Sequence, residues 1–110
     1  MSTAPRRGDV YWVALDPAMG TEIQKTRPAV IVSNDSCNRH GGRVVVVPIT
    51  SNVDKLYPGD AAIIVRNKPA RALGDQLRSI DKARLRARLG RLTQADLAAV
   101  EEGVRITLDL

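Results

Sequence analysis

The sequence predicts a mainly β protein, in which a small barrel-like sheet is followed by a C-terminal helix. Two observations carry this prediction. Five or more short segments rich in β-branched residues alternate with turn residues, whereas the last apolar residues recur every three or four positions. With 110 residues, the chain has room for one core. Residues 1–110 are therefore expected to form a single domain, in which residues 1–6 are a loose N-terminal arm.

Four segments have the composition of strands. Asp9–Leu15 is rich in β-branched and aromatic residues, and Asp16-Pro17 stops it. Pro28–Val32 is a continuous apolar run, which predicts a strand that is buried on both faces. Arg43–Thr50 is the strongest strand candidate, and Ala61–Val65 is the fourth. Because the chain has no phenylalanine, these strands must enclose a core by close packing of Val, Ile and Leu.

Polar segments separate these strands. Ala18–Thr26, Ser33–Gly42 and Asn52–Asp60 carry the residues of turns and are predicted to be loops. Pro48 lies inside the strongest strand candidate and cannot donate a ladder hydrogen bond. It therefore predicts an edge, a bulge or a bend at that point.

The segment after the fourth strand gives weaker signals. Leu73–Ser79 and Leu89–Leu92 are strand candidates, although neither has a strong pattern. Asp81 is placed to cap a short helical turn over Lys82–Leu85. We therefore expect further short strands here.

The C-terminal segment is predicted to be a helix that begins after Thr93. Thr93 is a typical N-cap, and Asp96, three places later, nearly completes a capping box. One apolar stripe is formed by Leu97, Val100, Val104 and Leu108. Gly103 interrupts the helix and is expected to weaken it by up to about 1 kcal/mol relative to alanine.

The composition excludes several classes of protein. No apolar run approaches the roughly 18 residues of a membrane span, and the N-terminus lacks a signal-peptide core, so a cytoplasmic protein without a membrane partner is expected. Cys37 is the only cysteine and His40 the only histidine, which excludes an internal disulfide and a multi-cysteine metal site. We therefore expect no metal and no cofactor.

The positive charge is concentrated in one stretch. The formal net charge is +5, but Arg66–Arg91 holds nine basic and two acidic residues, a net +7. Such a stretch attracts a polyphosphate or an acidic protein segment. A charge run by itself is also typical of an ordinary solvated surface.

Two strand ends carry residues suited to phosphate chemistry. Arg27 immediately precedes a buried strand, and Thr50 and Ser51 end the strongest one. Strand ends meet at the rim of a small barrel, where a guanidinium could clamp a phosphodiester and a hydroxyl could add a hydrogen bond. Glu22, in the loop before Arg27, could accept a proton. Taken alone, these residue types fit a surface ion pair and a turn somewhat better.

Six strings of residues, in order along nearly the whole chain, resemble the MazF/PemK family of toxin endoribonucleases. Together they identify the sequence far more specifically than any one of them does. The strings are R-G-D-V-Y-W-V-A-L-D-P (Arg7–Pro17), G-T-E (Gly20–Glu22), K-T-R-P-A-V-I-V-S-N-D (Lys25–Asp35), V-V-V-V-P-I-T-S (Val44–Ser51), G-D-Q-L-R-S-I-D (Gly74–Asp81) and R-L-G-R-L (Arg88–Leu92).

The resemblance implies an SH3-like barrel of the PemK/CcdB type with a C-terminal helix, working as a homodimer. It implies cleavage of single-stranded RNA, chiefly mRNA, at a short preferred sequence and without a metal. The family's active-site arginine and threonine fall on Arg27 and Thr50, and its acidic loop residue falls on Glu22. Asp75 and Gln76 are placed near the RNA groove or the dimer interface. An antitoxin with an acidic disordered tail is the implied partner.

The RNA is expected to be bound around these positions. The predicted substrate-binding residues are Ser51, Asp75, Gln76, Arg78, Arg84 and Arg86. The chain departs from the family after Tyr57-Pro58, where many relatives carry an aromatic residue and Gly59 stands here. Stacking on RNA bases must therefore fall to Tyr11, Trp12 or Tyr57.

The expected mechanism uses the RNA itself. Without a metal or a catalytic histidine, the 2′-hydroxyl beside the scissile phosphate is the natural nucleophile. Two alternatives of other classes stay open: a non-enzymatic barrel of the CcdB type that binds and poisons a DNA topoisomerase, and a plain nucleic-acid-binding SH3-like module. Neither of them needs Arg27 and Thr50 as a pair.

Overall fold

A computed structural model describes residues 4–17, 19–22 and 25–110. Strands dominate this part of the chain, with one short and one long helix and two 3-10 turns, at Gly74–Gln76 and Lys82–Arg84. The strands are β1 (Asp9–Ala14), β2 (Thr26–Ile31), β3 (Arg43–Thr50), β4 (Asp60–Val65), β5 (Lys68–Leu73), β6 (Arg78–Asp81) and β7 (Leu85–Arg91). The helices are α1 (Asp35–His40) and α2 (Gln94–Leu108). The predicted class, a mainly β domain with a C-terminal helix, is confirmed.

The strands form one antiparallel, half-open barrel in the order β4-β5-β3-β2-β1-β7. β3 is its centre and changes partner on one edge: Arg43–Val46 pairs with β6, and Ile49 and Thr50 pair with β5. Val32 N donates to Val45 O, so Val45 and, two residues on, Val47 direct their main-chain groups toward β2. The residues between them direct theirs toward the opposite edge of β3. The nitrogen of Pro48 therefore faces that opposite edge, at a point between the segment that pairs with β6 and the segment that pairs with β5. The proline therefore removes no hydrogen bond from the β2–β3 ladder.

The predicted burial of the second strand on both faces is confirmed. Ala29, Val30 and Ile31 are fully buried. Val30 packs in the cluster beneath α2, which includes Val100, whereas Ala29 and Ile31 pack on the opposite face. The sequence of a strand that is covered on both faces is an unbroken run of apolar residues, because none of its side chains faces water.

The segment Ser33–Gly42 is not only a loop, as predicted, because it contains α1. The Asn34 side chain caps this helix by accepting from Cys37 N at 2.8 Å. Asn38 is fully buried, and its Nδ2 donates to Ser33 O at 2.9 Å. Asn34 followed by Asp35 is a typical helix start, but a helix of six residues is too short to show a helical spacing of apolar residues in the sequence.

The prediction of a strand over Leu73–Ser79 is wrong. The chain instead ends β5 at Leu73, makes a 3-10 turn and begins β6 at Arg78. β5 was missed because its composition is poor in β-branched residues; it is formed by the hairpin with β4. Arg66 and Asn67 make that turn with φ of 49° and 65°, as a two-residue hairpin requires.

The structure also contains the other two elements predicted for this segment, a strand near Leu89 and a turn capped by Asp81. The strand predicted over Leu89–Leu92 is β7, which begins earlier, at Leu85, and ends one residue earlier, at Arg91. Asp81 caps the turn over Lys82–Arg84, since its Oδ1 accepts from Ala83 N at 2.8 Å. The sequence therefore located both elements but underestimated the strand.

The N-terminal arm is fixed to the body over its described residues. Pro5 is buried, and Arg6 N donates to Asp9 Oδ2 at 3.0 Å. The main chain of Arg7 donates to Asp35 Oδ1 at 2.8 Å, and its side chain forms an ion pair with Glu101. Residues 4–6 are thus not loose; residues 1–3 lie outside the described residues, as do 18, 23 and 24 of the predicted loop Ala18–Thr26.

Helix α2 begins as predicted, with Thr93 Oγ1 accepting from Asp96 N at 3.1 Å. Asp96 does not complete a capping box, because its Oδ2 accepts from Ile64 N of β4 at 3.0 Å. Val100 is buried in the core, while Leu108 is 48% exposed, so the apolar stripe ends before the end of the helix. No helix in the described ranges is long and apolar enough to span a membrane.

Three glycines let α2 approach the sheet. A Cβ at Gly103 would lie 2.3 Å from Gly59 O, and one at Gly74 would lie 2.1 Å from the same oxygen. Gly59 has a φ of +92°, a conformation that favours glycine. Gly103 is therefore required by packing, although helix propensity alone counts it as a weakness.

We expect Gly103→Ala to destabilise the protein by about 1–3 kcal/mol, because the added methyl group must displace backbone. Helix propensity predicts the opposite sign, a gain of up to about 1 kcal/mol. Urea unfolding distinguishes the two. Gly90→Ala is the control, since a Cβ there meets nothing within 4 Å. Equal or higher stability of Gly103→Ala would show that the close approach is not required.

Candidate active site

Arg27 and Thr50 lie on neighbouring antiparallel strands. Arg27 is the second residue of β2, and Thr50 is the last of β3. The β2–β3 ladder pairs Ile31 with Val46 and Ala29 with Pro48. The ladder ends at this second pair, and we infer from its register, continued by two residues, that Arg27 lies opposite Thr50. Because alternate residues share a face, both side chains lie on the face of Ala29 and Pro48, at the end of the sheet.

The two groups are accessible. Arg27 is exposed, and Thr50 is half-buried. Thr50 Oγ1 accepts a hydrogen bond from Asn52 N at 3.2 Å, which begins the turn after the strand. This bond uses a lone pair of the hydroxyl and leaves its proton available for donation. Ser51 follows in an exposed position.

Two further arginines lie beside the start of β2. Arg78 Nη1 donates to Leu15 O at 3.3 Å, and Arg84 Nη1 donates to Ala14 O at 3.0 Å. Ala14 pairs with Thr26, so both guanidiniums lie at the end of the sheet that carries Arg27. Carbonyl groups orient both guanidiniums, and no carboxylate of the described residues is paired with either of them.

Glu22 lies in a cleft of about 150 Å³ that is also lined by Asp75, Gln76, Leu77 and Arg78. Its Oε1 accepts from Met19 N at 2.6 Å, so the loop itself orients the carboxylate. The structure thus brings four of the predicted site residues together in this cleft: Glu22, Asp75, Gln76 and Arg78.

The basic stretch Arg66–Arg91 does not form one surface. Arg88 and Arg91 lie 3.2 and 3.1 Å from the carboxylate of buried Asp9. Arg71 pairs with Asp60, and Arg86 donates to Ala83 O at 2.6 Å within its own turn. The charge count overstated the field at the site, because sequence proximity does not fix where strands place their side chains.

The three aromatic candidates for base stacking differ in exposure. Tyr11 packs beside the buried cluster on the face of Ala29. Burial raises the pKa of its phenol, the Asp9 carboxylate raises it further, and Arg88 partly opposes them. Trp12 is 38% and Tyr57 is 55% exposed, so these two rings are the ones available to a ligand.

No group of three or more His, Cys, Asp or Glu side chains in the described part of the chain is arranged to hold a metal ion. His40 and Cys37 lie on α1, where His40 Nδ1 contacts Ser36 O at 3.0 Å. The side chains that the structure places at the end of β2 and β3 carry guanidinium and hydroxyl groups.

The chain matches known proteins over nearly its whole length. A family model described as PemK-like, MazF-like toxin of type II toxin-antitoxin system matches residues 6–108. Endoribonuclease MazF9 of Mycobacterium tuberculosis is 40% identical, over 96% of this chain and 97% of that protein. Endoribonuclease MazF of Staphylococcus epidermidis is 34% identical, over 96% and 92% of the two chains.

Solved structures agree with these matches. A mycobacterial endoribonuclease in complex with its cognate antitoxin has a TM-score of 0.82 at 28% identity, over 97% of each chain. MazF from Deinococcus radiodurans has a TM-score of 0.87 at 25% identity, over 99% of this chain and 100% of that one. This chain therefore belongs to the PemK-like, MazF-like family of toxins of type II toxin–antitoxin systems and is an endoribonuclease of that family.

Proposed function

We propose that this chain cleaves single-stranded mRNA at a short preferred sequence, without a metal, by attack of the RNA's own 2′-hydroxyl group. The observation that supports this most is the β2–β3 register, whose last pair is Ala29 and Pro48 and which, continued by two residues, places Arg27 opposite Thr50. Arg78 and Arg84 add positive charge at the same end of the sheet. Such an arrangement suits a substrate whose phosphate gains negative charge during the reaction.

In the proposed step, the 2′-oxygen forms a bond to phosphorus as the bond from phosphorus to the 5′-oxygen breaks. The products are a 2′,3′-cyclic phosphate and a 5′-hydroxyl. Arg27 binds the non-bridging oxygens through its two-pronged guanidinium and stabilises the charge that they gain. The Thr50 hydroxyl donates a further hydrogen bond. Ser51, Arg84 and Arg86 contact the neighbouring RNA backbone.

Two protons must move in this step. The 2′-hydroxyl loses one to a base, and the departing 5′-oxygen gains one from solvent water. Arginine remains protonated in nearly every protein environment, so Arg27 is a poor base. Glu22 is the proposed acceptor, because its carboxylate lies in the cleft beside Asp75 and Arg78. Asp75 and Gln76 are proposed to contact the RNA from the same cleft.

The proposed partner is a cognate antitoxin whose acidic, disordered tail competes with RNA for this positive end. Positively charged guanidiniums attract both a polyphosphate and an acidic peptide. The proposed assembly is a homodimer, and the proposed location is the cytoplasm, where mRNA is found.

One incubation tests the proposed activity. Purified protein is mixed with a long single-stranded RNA in EDTA, and the RNA ends are mapped. We expect cuts at a short recurring sequence, with cyclic phosphate at the upstream end. Intact RNA that is nevertheless bound would favour a nucleic-acid-binding module. Intact and unbound RNA would favour a CcdB-type barrel that acts on a topoisomerase.

A further inference from the structure

An arginine that is only partly exposed lies beneath the loop that follows Thr50. We call residues 51–59, between β3 and β4, the Thr50 loop. Arg71 on β5 is the direct ladder partner of Thr50, and only 13% of its side chain is exposed. Its Nη1 donates to Lys55 O in the middle of the loop and lies 3.6 Å from Asp60 Oδ2, just after the loop ends. One side chain thus joins the loop to the strand beside Thr50.

Asp60 fixes the end of the same loop. Its Oδ2 accepts from Tyr57 N at 2.9 Å, and its own N–H donates to Tyr57 O at 2.9 Å. The Asp60 side chain is only 3% exposed, whereas the Tyr57 end of these bonds faces solvent. The main chain of Tyr57 is therefore held in one position relative to Arg71.

The exposed Tyr57 ring lies close to two cations. Lys55 Nζ lies 5.6 Å and Arg71 Cζ 5.8 Å from the ring centroid, both within the range of cation–π attraction. Tyr57 is nevertheless 55% exposed. An ordered, exposed aromatic ring beside positive charge is what single-stranded RNA requires for stacking, because every base has a π face and a phosphate close by.

Stability alone does not account for an arginine at this place. Arg71 Nε is buried and has no hydrogen-bond partner among the described residues. A mostly buried guanidinium whose Nε is unsatisfied carries a desolvation cost that an apolar side chain of similar length would avoid. The arginine is better explained by its contacts with Lys55 O and the Tyr57 ring, which order the Thr50 loop.

We propose that Tyr57 is a stacking platform for a nucleobase next to the scissile phosphate and determines which sites are cut efficiently. Arg71 is the positioning residue that holds this platform beside Thr50. The inference rests on the proposed function, since it uses the phosphate position that Arg27 and Thr50 define.

The test compares preferred-site RNA with RNAs that carry one abasic nucleotide at successive positions around the cut. For the parent, we expect kcat/KM to fall about 5- to 150-fold at one position, the range of base–aromatic stacking. On RNA with all its bases, Tyr57→Leu should show the same fall in kcat/KM. An abasic nucleotide at the sensitive position should lower the kcat/KM of Tyr57→Leu no further. Tyr57→Phe, which keeps the ring, should restore most of the activity.

Arg71→Met should reproduce the Tyr57→Leu pattern, and the double variant should be no worse than either single variant. Arg39→Met on the exposed face of α1 is the control for lost charge and should change kcat/KM less than about twofold. Because Tyr57 is exposed, the Tyr57 variants remain informative even if Arg71→Met unfolds.

Additive losses from the abasic position and Tyr57→Leu would overturn the inference, as would full activity of Tyr57→Leu. Either result would leave the proposed RNA cleavage intact, because the parent still cuts. If the parent itself does not cut RNA in EDTA, the proposed function fails, and this inference fails with it.

Discussion

Arg27→Ala is expected to lower the rate of RNA cleavage about 100- to 1,000-fold, the loss seen when one preorganised donor to a charged transition state is removed. The reason is differential binding: the guanidinium interacts more strongly with the pentacoordinate phosphorus than with the ground-state diester. The defect should therefore lie in kcat rather than in KM. Single-turnover cleavage at saturating enzyme measures it directly.

Thr50→Ala is expected to show a smaller loss of about 10- to 100-fold, because a neutral hydroxyl donates a weaker hydrogen bond than a guanidinium. Thr50→Ser keeps the hydroxyl and should recover most of the rate. If Arg27 and Thr50 act on one phosphate, the double variant should lose less than the product of the single losses.

The matched control for both variants is Arg39→Ala, which removes an exposed positive charge from α1. Arg27 is also exposed, so its loss should change the free energy of unfolding by less than about 0.5 kcal/mol. Circular dichroism and urea unfolding check this. An Arg27→Ala protein that is folded and cleaves RNA at the parental rate would remove Arg27 from the mechanism.

The strands that sequence analysis located best are those stabilised by their own composition. β1, β3 and β4 match the predicted segments to within a residue, because alternating or continuous β-branched runs determine both the strand and its burial. β5 could not be found in this way. Its Pro69 and Arg71 are poor strand residues, and the strand exists because β4 offers an unpaired edge across a tight turn.

The residues of the candidate site also fall into those that the sequence identifies and those that depend on strand pairing. Arg27 and Thr50 were identifiable as strand ends, and their strands prove to be neighbours. Arg71 was visible only as one charge among nine, because its relation to Thr50 depends on the unpredicted β5. The prediction for Gly103 was incomplete for a related reason. Helix propensity considers the helix alone, whereas the close approach of Gly59 O leaves no room for a side chain at position 103.

The second large effect concerns the substrate. An RNA that carries a single 2′-deoxy sugar on the 5′ side of the scissile phosphate lacks the proposed nucleophile but keeps every other contact. Cleavage at that phosphate should therefore stop, a loss far larger than that of any side-chain variant. Binding should be nearly unchanged, because the phosphates and bases that the protein contacts are still present.

Cleavage of this 2′-deoxy RNA, compared with the all-ribose RNA of the same sequence in EDTA, is the most direct test of the central claim. The claim is that Arg27 and Thr50 promote attack by the substrate's own hydroxyl group. It predicts complete protection at the modified phosphate, tight binding of the modified RNA, and a cyclic phosphate at every cut in the unmodified one. Cleavage of the modified phosphate at the normal rate would require a water nucleophile and would contradict the account.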